Sequence, residues 1–129
     1  SVTITFESEG DLAAVADRSE MEIICNNLIS NAVKYNRPEG TVTVRVIRES
    51  ERVTISVADT GIGLSKEEAD RLFEDFVRIK NEKTRGIPGS GLGLSIVKKI
   101  AQMNGGDVEV ESTPDVGSTF TVTMKLPQP

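Results

Sequence analysis

The 129-residue chain contains no histidine, and its only cysteine is Cys25. It therefore has no imidazole base, metal ligand or nucleophile of its own. One thiol without imidazole falls short of the ligand set of a zinc site. It also gives no disulfide framework, so a reducing, cytoplasmic compartment is the simplest reading. No apolar run approaches the roughly 20 residues of a membrane span, and the N-terminus shows no signal-peptide pattern. Acidic residues outnumber basic ones, 20 to 15, for a net charge of −5. That balance argues against a domain-wide surface for nucleic acid or direct membrane contact, while leaving room for a local anion site. No internal repeat is present.

The composition, 37% hydrophobic and 27% charged, is that of a folded chain, and residues 1–129 are expected to form one domain. Thr3 to Phe6 reads as a strand. Asp17 and Glu20 resemble a capping box opening a helix that runs to about Tyr35. Its buried stripe is Met21, Ile24, Cys25, Leu28, Ile29 and Ala32, with Cys25 as packing. "NRPEG" (36–40) ends that helix. Val42, Val44 and Val46, then Val53, Ile55 and Val57, alternate as the strands of an antiparallel hairpin joined by "RESE" (48–51). Ser65 and Glu68 form a second capping box, before a helix with Ala69, Leu72, Phe73 and Phe76 on its apolar face. Residues 79–90 are polar and broken by Gly and Pro, which predicts a mobile loop. A helix over about 92–104 places Ile96, Val97, Ile100 and Ala101 on one face and stops at Gly105-Gly106. Two strands follow, with Val108 and Val110, then Phe120, Val122, Met124 and Leu126. The element order implies an α/β fold: a two-layer sandwich of a mainly antiparallel sheet covered on one face by helices.

Three stretches carry chemistry. In "GSGLG" (89–93), Gly89, Gly91 and Gly93 precede a helix. Bare backbone amides and a helix N-terminus suit a phosphate, and a close-packed turn reads equally well. The P-loop is excluded, since Gly93 is followed by Leu94 rather than a Lys-Ser/Thr pair. In "NNLISNAVKY" (26–35), Asn27, Asn31 and Lys34 lie on one side of a helix, beside its apolar stripe. Asparagine is a poor helix former, its amide oxygen can ligate Mg²⁺, and Lys34 can reach a phosphate. A solvated polar face is the plain alternative. In "DTGIG" (59–63), Asp59 closes a strand before a glycine turn. Its carboxylate can accept from an adenine amino group and would repel the guanine carbonyl. An ordinary turn aspartate is the other reading.

Taken in this order, the stretches resemble the catalytic, ATP-binding domain of bacterial sensor histidine kinases. That group shares its Bergerat-type ATP fold with type II topoisomerases, MutL and the large heat-shock chaperones. Asn27 to Tyr35 match the asparagine box, Asp59 to Gly63 the first glycine box, and Gly89 to Gly93 the second. "RLFEDFVR" (71–78) matches the phenylalanine box, and "DVGSTFTVTMKLP" (115–127) the closing strand. The resemblance implies that Asn27 ligates Mg²⁺, Asn31 supports metal and phosphates, and Lys34 contacts phosphate. It places Tyr35 near the adenine, Asp59 on the amino group, and Gly61 and Gly63 in close approach to the base. Gly89, Gly91, Leu92 and Gly93 would end an ATP lid and meet the triphosphate, with Phe73 and Phe76 at the lid's base. Arg78 would serve transfer. The implied function is donation of the γ-phosphoryl group of ATP to a histidine on a separate dimerisation domain, with a response regulator downstream. The chain opens directly on a strand, as a piece excised from a longer parent would, and a membrane anchor on that parent stays open. Two alternatives stay open: a serine kinase of the anti-sigma type, and a non-catalytic nucleotide-sensing module of the same fold.

Overall fold

Alternation with a period of two, β-branched residues inward and polar residues outward, dominates the middle of the chain. The computed structural model describes residues 2–9, 18–49, 51–71 and 93–125. In chain order they form β1 (Thr3–Glu9), α1 (Arg18–Lys34), β2 (Thr41–Glu49), β3 (Arg52–Asp59), α2 (Lys66–Arg71), α3 (Gly93–Met103), β4 (Asp107–Thr113) and β5 (Gly117–Lys125). The strands make one five-stranded sheet in the order β1-β2-β3-β5-β4. β1 and β2 are parallel, and the other pairs are antiparallel.

Directly paired residues share a face. Val44 lies opposite Val57, and Val57 opposite Phe120. With Val42, Val46, Val53, Ile55, Val122 and Met124 they line one buried face of the sheet. Ile24, Leu28 and Ala32 of α1 and Val97, Ile100 and Ala101 of α3 close over it. The opposite face carries Thr43, Arg45, Ser56 and Thr121, half-buried or exposed. There an Arg45–Glu7 ion pair of 3.1 Å links β2 to β1. The two-layer arrangement expected from the element order is the one found.

Three details differ from the sequence reading or extend it. β1 continues to Glu9 rather than stopping at Phe6. Its Ile4 and Phe6 face the helix side by register but stand 52% and 61% exposed. On α3, Ile96 is 39% exposed whereas Ser95 is buried, so the helix is turned from the face that apolar spacing alone suggests. Ile96 lies about 100° round the helix from Val97, at the edge of the stripe that Val97, Ile100 and Ala101 set. The Asp17 cap, residues 79–90, and Leu72, Phe73, Phe76 and Arg78 lie outside the described residues.

Both sequence-read helix stops and starts within the described residues are made by specific bonds. The Ser65 amide donates to Glu68 Oε1 at 2.9 Å and the Glu68 amide to Ser65 Oγ at 3.2 Å, a reciprocal capping box. At the end of α3 the Gly106 amide bonds the Ala101 carbonyl and the Gly105 amide the Gln102 carbonyl, a Schellman pair.

Chain direction decides which residues meet. Because β1 and β2 are parallel, α1 runs back antiparallel to both. β3 and β4 both oppose β5 and so run the same way, and α3 returns between them. Hence the end of α1, the end of β3, the start of α3 and the start of β5 all lie at one end of the sheet. A 3.5 Å contact from Asn104 to Glu20 joins the other ends of the two helices, in keeping with that antiparallel sense.

Candidate functional site

Asp59 is the last residue of β3, placed between the first residues of β2 and β5, with Val42 and Ser118 as its register partners. Its carboxylate is half-buried. Oδ1 accepts from the Gly61 amide at 2.8 Å and from the Ser118 amide at 3.3 Å. Both bonds fall on the same oxygen, and neither uses Oδ2. Burial pushes the Asp59 carboxyl above the ordinary aspartate range, and the two amide donors pull against that shift.

The glycines that follow Asp59 are required by contact. A Cβ on Gly61 would collide with the Tyr35 carbonyl oxygen and lie 2.9 Å from Asp59 Oδ1. Gly63 has φ 68°, and a Cβ there would strike the Thr113 carbonyl oxygen. The loop is thereby pressed between the end of α1 and the end of β4. Three bonds fix it. The Ile62 amide donates to the Tyr35 carbonyl at 3.0 Å, the Asp115 amide to the Ile62 carbonyl at 2.7 Å, and the Leu64 amide to Ser112 Oγ at 2.7 Å.

The helix that reaches this loop carries the asparagines. Asn27 and Asn31 are half-buried, Lys34 is exposed in the last turn, and Tyr35 follows it half-buried. Asn27 Nδ2 donates to the Ile23 carbonyl at 2.8 Å. That bond uses the amide nitrogen and not Oδ1. Among the described residues no group of three or more His, Cys, Asp or Glu could hold a metal. An amide oxygen is a hard donor that could complete the shell of a Mg²⁺ whose other ligands are phosphate oxygens and water. Gly93 opens α3 at the same end of the sheet, so the positive end of that helix dipole faces the end of α1. Of the residues singled out in the sequence, the structure gathers Asn31, Lys34, Tyr35, Asp59, Gly61, Gly63 and Gly93 at this end, with Asn27 one turn further along α1. Gly89, Gly91, Leu92 and Arg78 lie outside the described residues. Burial raises the Cys25 thiol above its ordinary value, as suits its packing role.

Sequence reasoning missed the residues that hold this end together. Ser118, buried, supplies an amide to Asp59, and its hydroxyl lies 2.7 Å from Ser112 Oγ. Asn36 Oδ1 accepts from Thr60 Oγ1 at 3.0 Å, and Thr60 Oγ1 accepts from the Thr41 amide at 2.8 Å. Arg37 donates to the carbonyls of Thr60, Asp115 and Val116. Serines in strands and an arginine in a turn give no periodic signal. Only the proximity of "NRP" to the asparagine run could have pointed to Asn36 and Arg37.

Comparison with known proteins bears on this arrangement. Residues 16–128 match the family model described as histidine kinase-, DNA gyrase B-, and HSP90-like ATPase. The chain is 44% identical over 107 residues to the circadian input-output histidine kinase CikA of Synechococcus elongatus, covering 83% of this chain and 14% of that protein. It is 39% identical over 117 residues to the sensor histidine kinase WalK of Bacillus subtilis, covering 88% of this chain and 19% of that protein. Among solved structures, the nucleotide-free catalytic domain of histidine kinase ThkA superposes with a TM-score of 0.80 at 26% identity, over 97% of this chain and 80% of that one. Full-length ShkA in complex with AMPPNP gives 0.82 at 30% identity, over 99% of this chain and 26% of that one. The chain thus spans a small part of the longer relatives it matches.

Proposed function

The chain belongs to the histidine kinase-, DNA gyrase B-, and HSP90-like ATPase family, and from that premise we propose that it is the catalytic domain of a sensor kinase. In this reading residues 1–129 form one domain that binds Mg-ATP and gives its γ-phosphoryl group to a histidine on a separate dimerisation domain of the parent kinase. A response regulator takes the group onward. The bond from the γ-phosphorus to the β,γ-bridging oxygen breaks, a bond to an imidazole nitrogen forms, and ADP leaves. The acceptor lies on another domain because this chain has no histidine.

The observation that carries the reading is the half-buried Asp59 carboxylate, held by two backbone amides through Oδ1 and followed by a glycine turn, so that neither of these bonds uses Oδ2. An acceptor fixed in this way takes the adenine amino group and repels the guanine carbonyl. Phosphoryl transfer is chiefly positioning and charge stabilisation, and the remaining residues are assigned on that basis. Tyr35 packs beside the base, and Gly61 and Gly63 allow its close approach. Asn27 offers an amide oxygen to Mg²⁺, with Asn31 supporting metal and phosphates and Lys34 on a phosphate. When bound, Mg²⁺ neutralises charge on the triphosphate. The amide-rich start of α3 at Gly93, with Gly89, Gly91 and Leu92 before it, meets the phosphates. Arg78 stabilises charge that develops during transfer rather than in the ground state. ShkA, solved with the ATP analogue AMPPNP, supports adenine nucleotide as the ligand class.

The test is labelled ATP with the purified, untagged chain, alone and with a dimerisation domain bearing a histidine. The chain alone stays unlabelled, and the added domain gains acid-labile phosphohistidine. Arg78→Ala retains ATP affinity within a few-fold and loses transfer by at least about tenfold, some 1.4 kcal/mol of barrier. Stable label on a serine or threonine would instead favour the anti-sigma type of kinase. ATP binding without transfer to any acceptor would favour the sensing module.

A further inference from the structure

Arg37 sits in the turn between α1 and β2, outside the three stretches singled out for chemistry, and its side chain bonds three carbonyls distant in sequence. Its Nε donates to the Thr60 carbonyl, and its Nη2 donates to the carbonyls of Asp115 at 3.0 Å and Val116 at 3.2 Å. These acceptors come from two separate segments, the loop after β3 and the turn between β4 and β5. The first also supplies the Gly61 amide to Asp59, and the second leads directly into β5, whose Ser118 supplies the other.

The covalent arrangement makes the connection direct. The Thr60 carbonyl and the Gly61 amide belong to one peptide group. Arg37 holds the oxygen of that group while its N–H donates to Asp59 Oδ1. On the other side, the Val116 carbonyl lies two residues before the Ser118 amide, the second donor to Asp59. A planar peptide pinned at its oxygen cannot rotate its N–H away from the carboxylate. A cationic donor on a carbonyl also strengthens the N–H of the same group, since linked hydrogen bonds polarise one another.

We propose that Arg37 is a positioning residue for base recognition: its guanidinium fixes the Thr60–Gly61 peptide and the β4–β5 turn so that both amides meet Asp59 and aim its second oxygen at the ligand. The inference rests on the reading of Asp59 as the group that recognises adenine. It extends that reading to a residue that touches no nucleotide atom. Arg37 is solvent-exposed, so water competes for each bond singly. The three bonds nevertheless leave one rigid fork, which a lysine ammonium cannot reproduce.

The experiment compares wild type, Arg37→Ala and Arg37→Lys by thermal unfolding, by calorimetry with ATP and with GTP, and by exchange of the Gly61 amide proton in the nucleotide-free protein. Arg37→Ala is expected to weaken ATP by about fivefold or more, the order of one hydrogen bond. GTP binding changes less, so selectivity falls, and the Gly61 amide exchanges faster. Arg37→Lys recovers under half of each loss and carries the same prediction if the alanine variant does not fold. A lower unfolding midpoint with ATP affinity, ATP/GTP ratio and Gly61 exchange all unchanged would make Arg37 a structural pin only and overturn the proposal. Equal losses for ATP and GTP would overturn it too, because the effect would not run through Asp59. The Gly61 measurement needs no ligand. A wild type that binds no ATP would therefore sink the kinase reading, while Gly61 exchange would still decide whether Arg37 braces that peptide.

Discussion

At the end of the sheet that holds Asp59, side chains bond to backbone: Asp59 to the Gly61 and Ser118 amides, Ser112 to the Leu64 amide, and Arg37 to three carbonyls. At the other end, side-chain bonds are short-range or helix to helix, such as Asn104 to the Ile100 carbonyl at 2.8 Å and to Glu20 at 3.5 Å, and backbone bonds join the elements. The Schellman pair closes α3, the Lys125 amide reaches the Asn104 carbonyl at 2.9 Å, and fully buried Val53 and Met124 pack beneath. The second end rests on packing and on the backbone bonds that close α3. The first uses polar side chains to hold two loops in place, with Lys34 exposed beside them. The contrast implies that stability and recognition are separable along the long axis of the sheet.

The largest test of that separation is Met124→Ala, at the end away from Asp59. Met124 is fully buried opposite Val53, and truncation of a buried Met to Ala costs about 2–5 kcal/mol. The unfolding midpoint in denaturant should fall accordingly. Well below that midpoint, ATP affinity should stay within about threefold of wild type, as expected for distant sites that share no partner. A parallel collapse of affinity would break the comparison.

Asp59→Asn should do the reverse. The amide oxygen can still accept from Gly61 and Ser118, but the other atom becomes a donor facing a donor on adenine. Loss of a hydrogen bond to a charged group costs about 1.5–3 kcal/mol, or roughly 10- to 100-fold in affinity by calorimetry. The ATP-over-GTP preference should narrow, since the new donor suits a carbonyl. Stability should not fall. Burial raises the folded Asp59 above its unfolded value, so the folded state holds the proton more tightly. The stabilising effect of protonation is full below the unfolded pKa and is lost as pH rises to the raised folded one. At neutral pH the charged carboxylate therefore costs the free protein stability, and Asp59→Asn should unfold at an equal or higher midpoint. By the same direction, wild-type ATP affinity should fail on acidification at a higher pH than an ordinary aspartate would give. The Asn variant should lack that step. A variant that is less stable and binds ATP unchanged would remove Asp59 from the site.

The two ends were not equally legible in the sequence. Period-two valines gave β2 and β3, the spacing of Ile24, Leu28 and Ala32 gave the face of α1, and Ser65 with Glu68 gave a cap whose two bonds are both present. These signals are local, with cause and effect within a few residues. The sheet order was not legible, because β5 inserts between β3 and β4 through pairings some sixty residues apart, such as Asp59 with Ser118. Ile96 misled for a related reason: apolar spacing allows two adjacent stripes on α3, and only the packing partner selects one. At the site, Asp59, Gly61, Gly63 and the asparagine run could be singled out because glycine turns and helical asparagines need a reason. Arg37, Ser112 and Ser118 could not, since a polar residue bonded to a distant carbonyl or amide looks on paper like any solvated one.

The smallest test lies on the boundary between site and scaffold. α2 has no buried residue among those described, so its first turn depends on the Ser65–Glu68 box rather than on burial. Ser65→Ala removes the acceptor of the Glu68 amide, a change of about 1 kcal/mol or less for a cap. The Lys66 to Ala69 amides should then exchange faster by up to about fivefold, the equivalent of that energy. The fraying should stop at Leu64, whose amide is tied separately to Ser112 Oγ at 2.7 Å. Ser112 is in turn bonded to the Gly117 carbonyl at 3.1 Å and lies against Ser118. Gly61 to Leu64 should keep wild-type exchange, and ATP affinity should move by less than about twofold, within the effect expected of a distant surface change. Ser112→Ala added to Ser65→Ala should let the disturbance pass into the loop. The double variant should then lose more ATP affinity than the two single changes combined. Strict additivity would show that the Ser112 bond is no barrier, and that the polar end of the sheet is held by Arg37 and Asp59 without it.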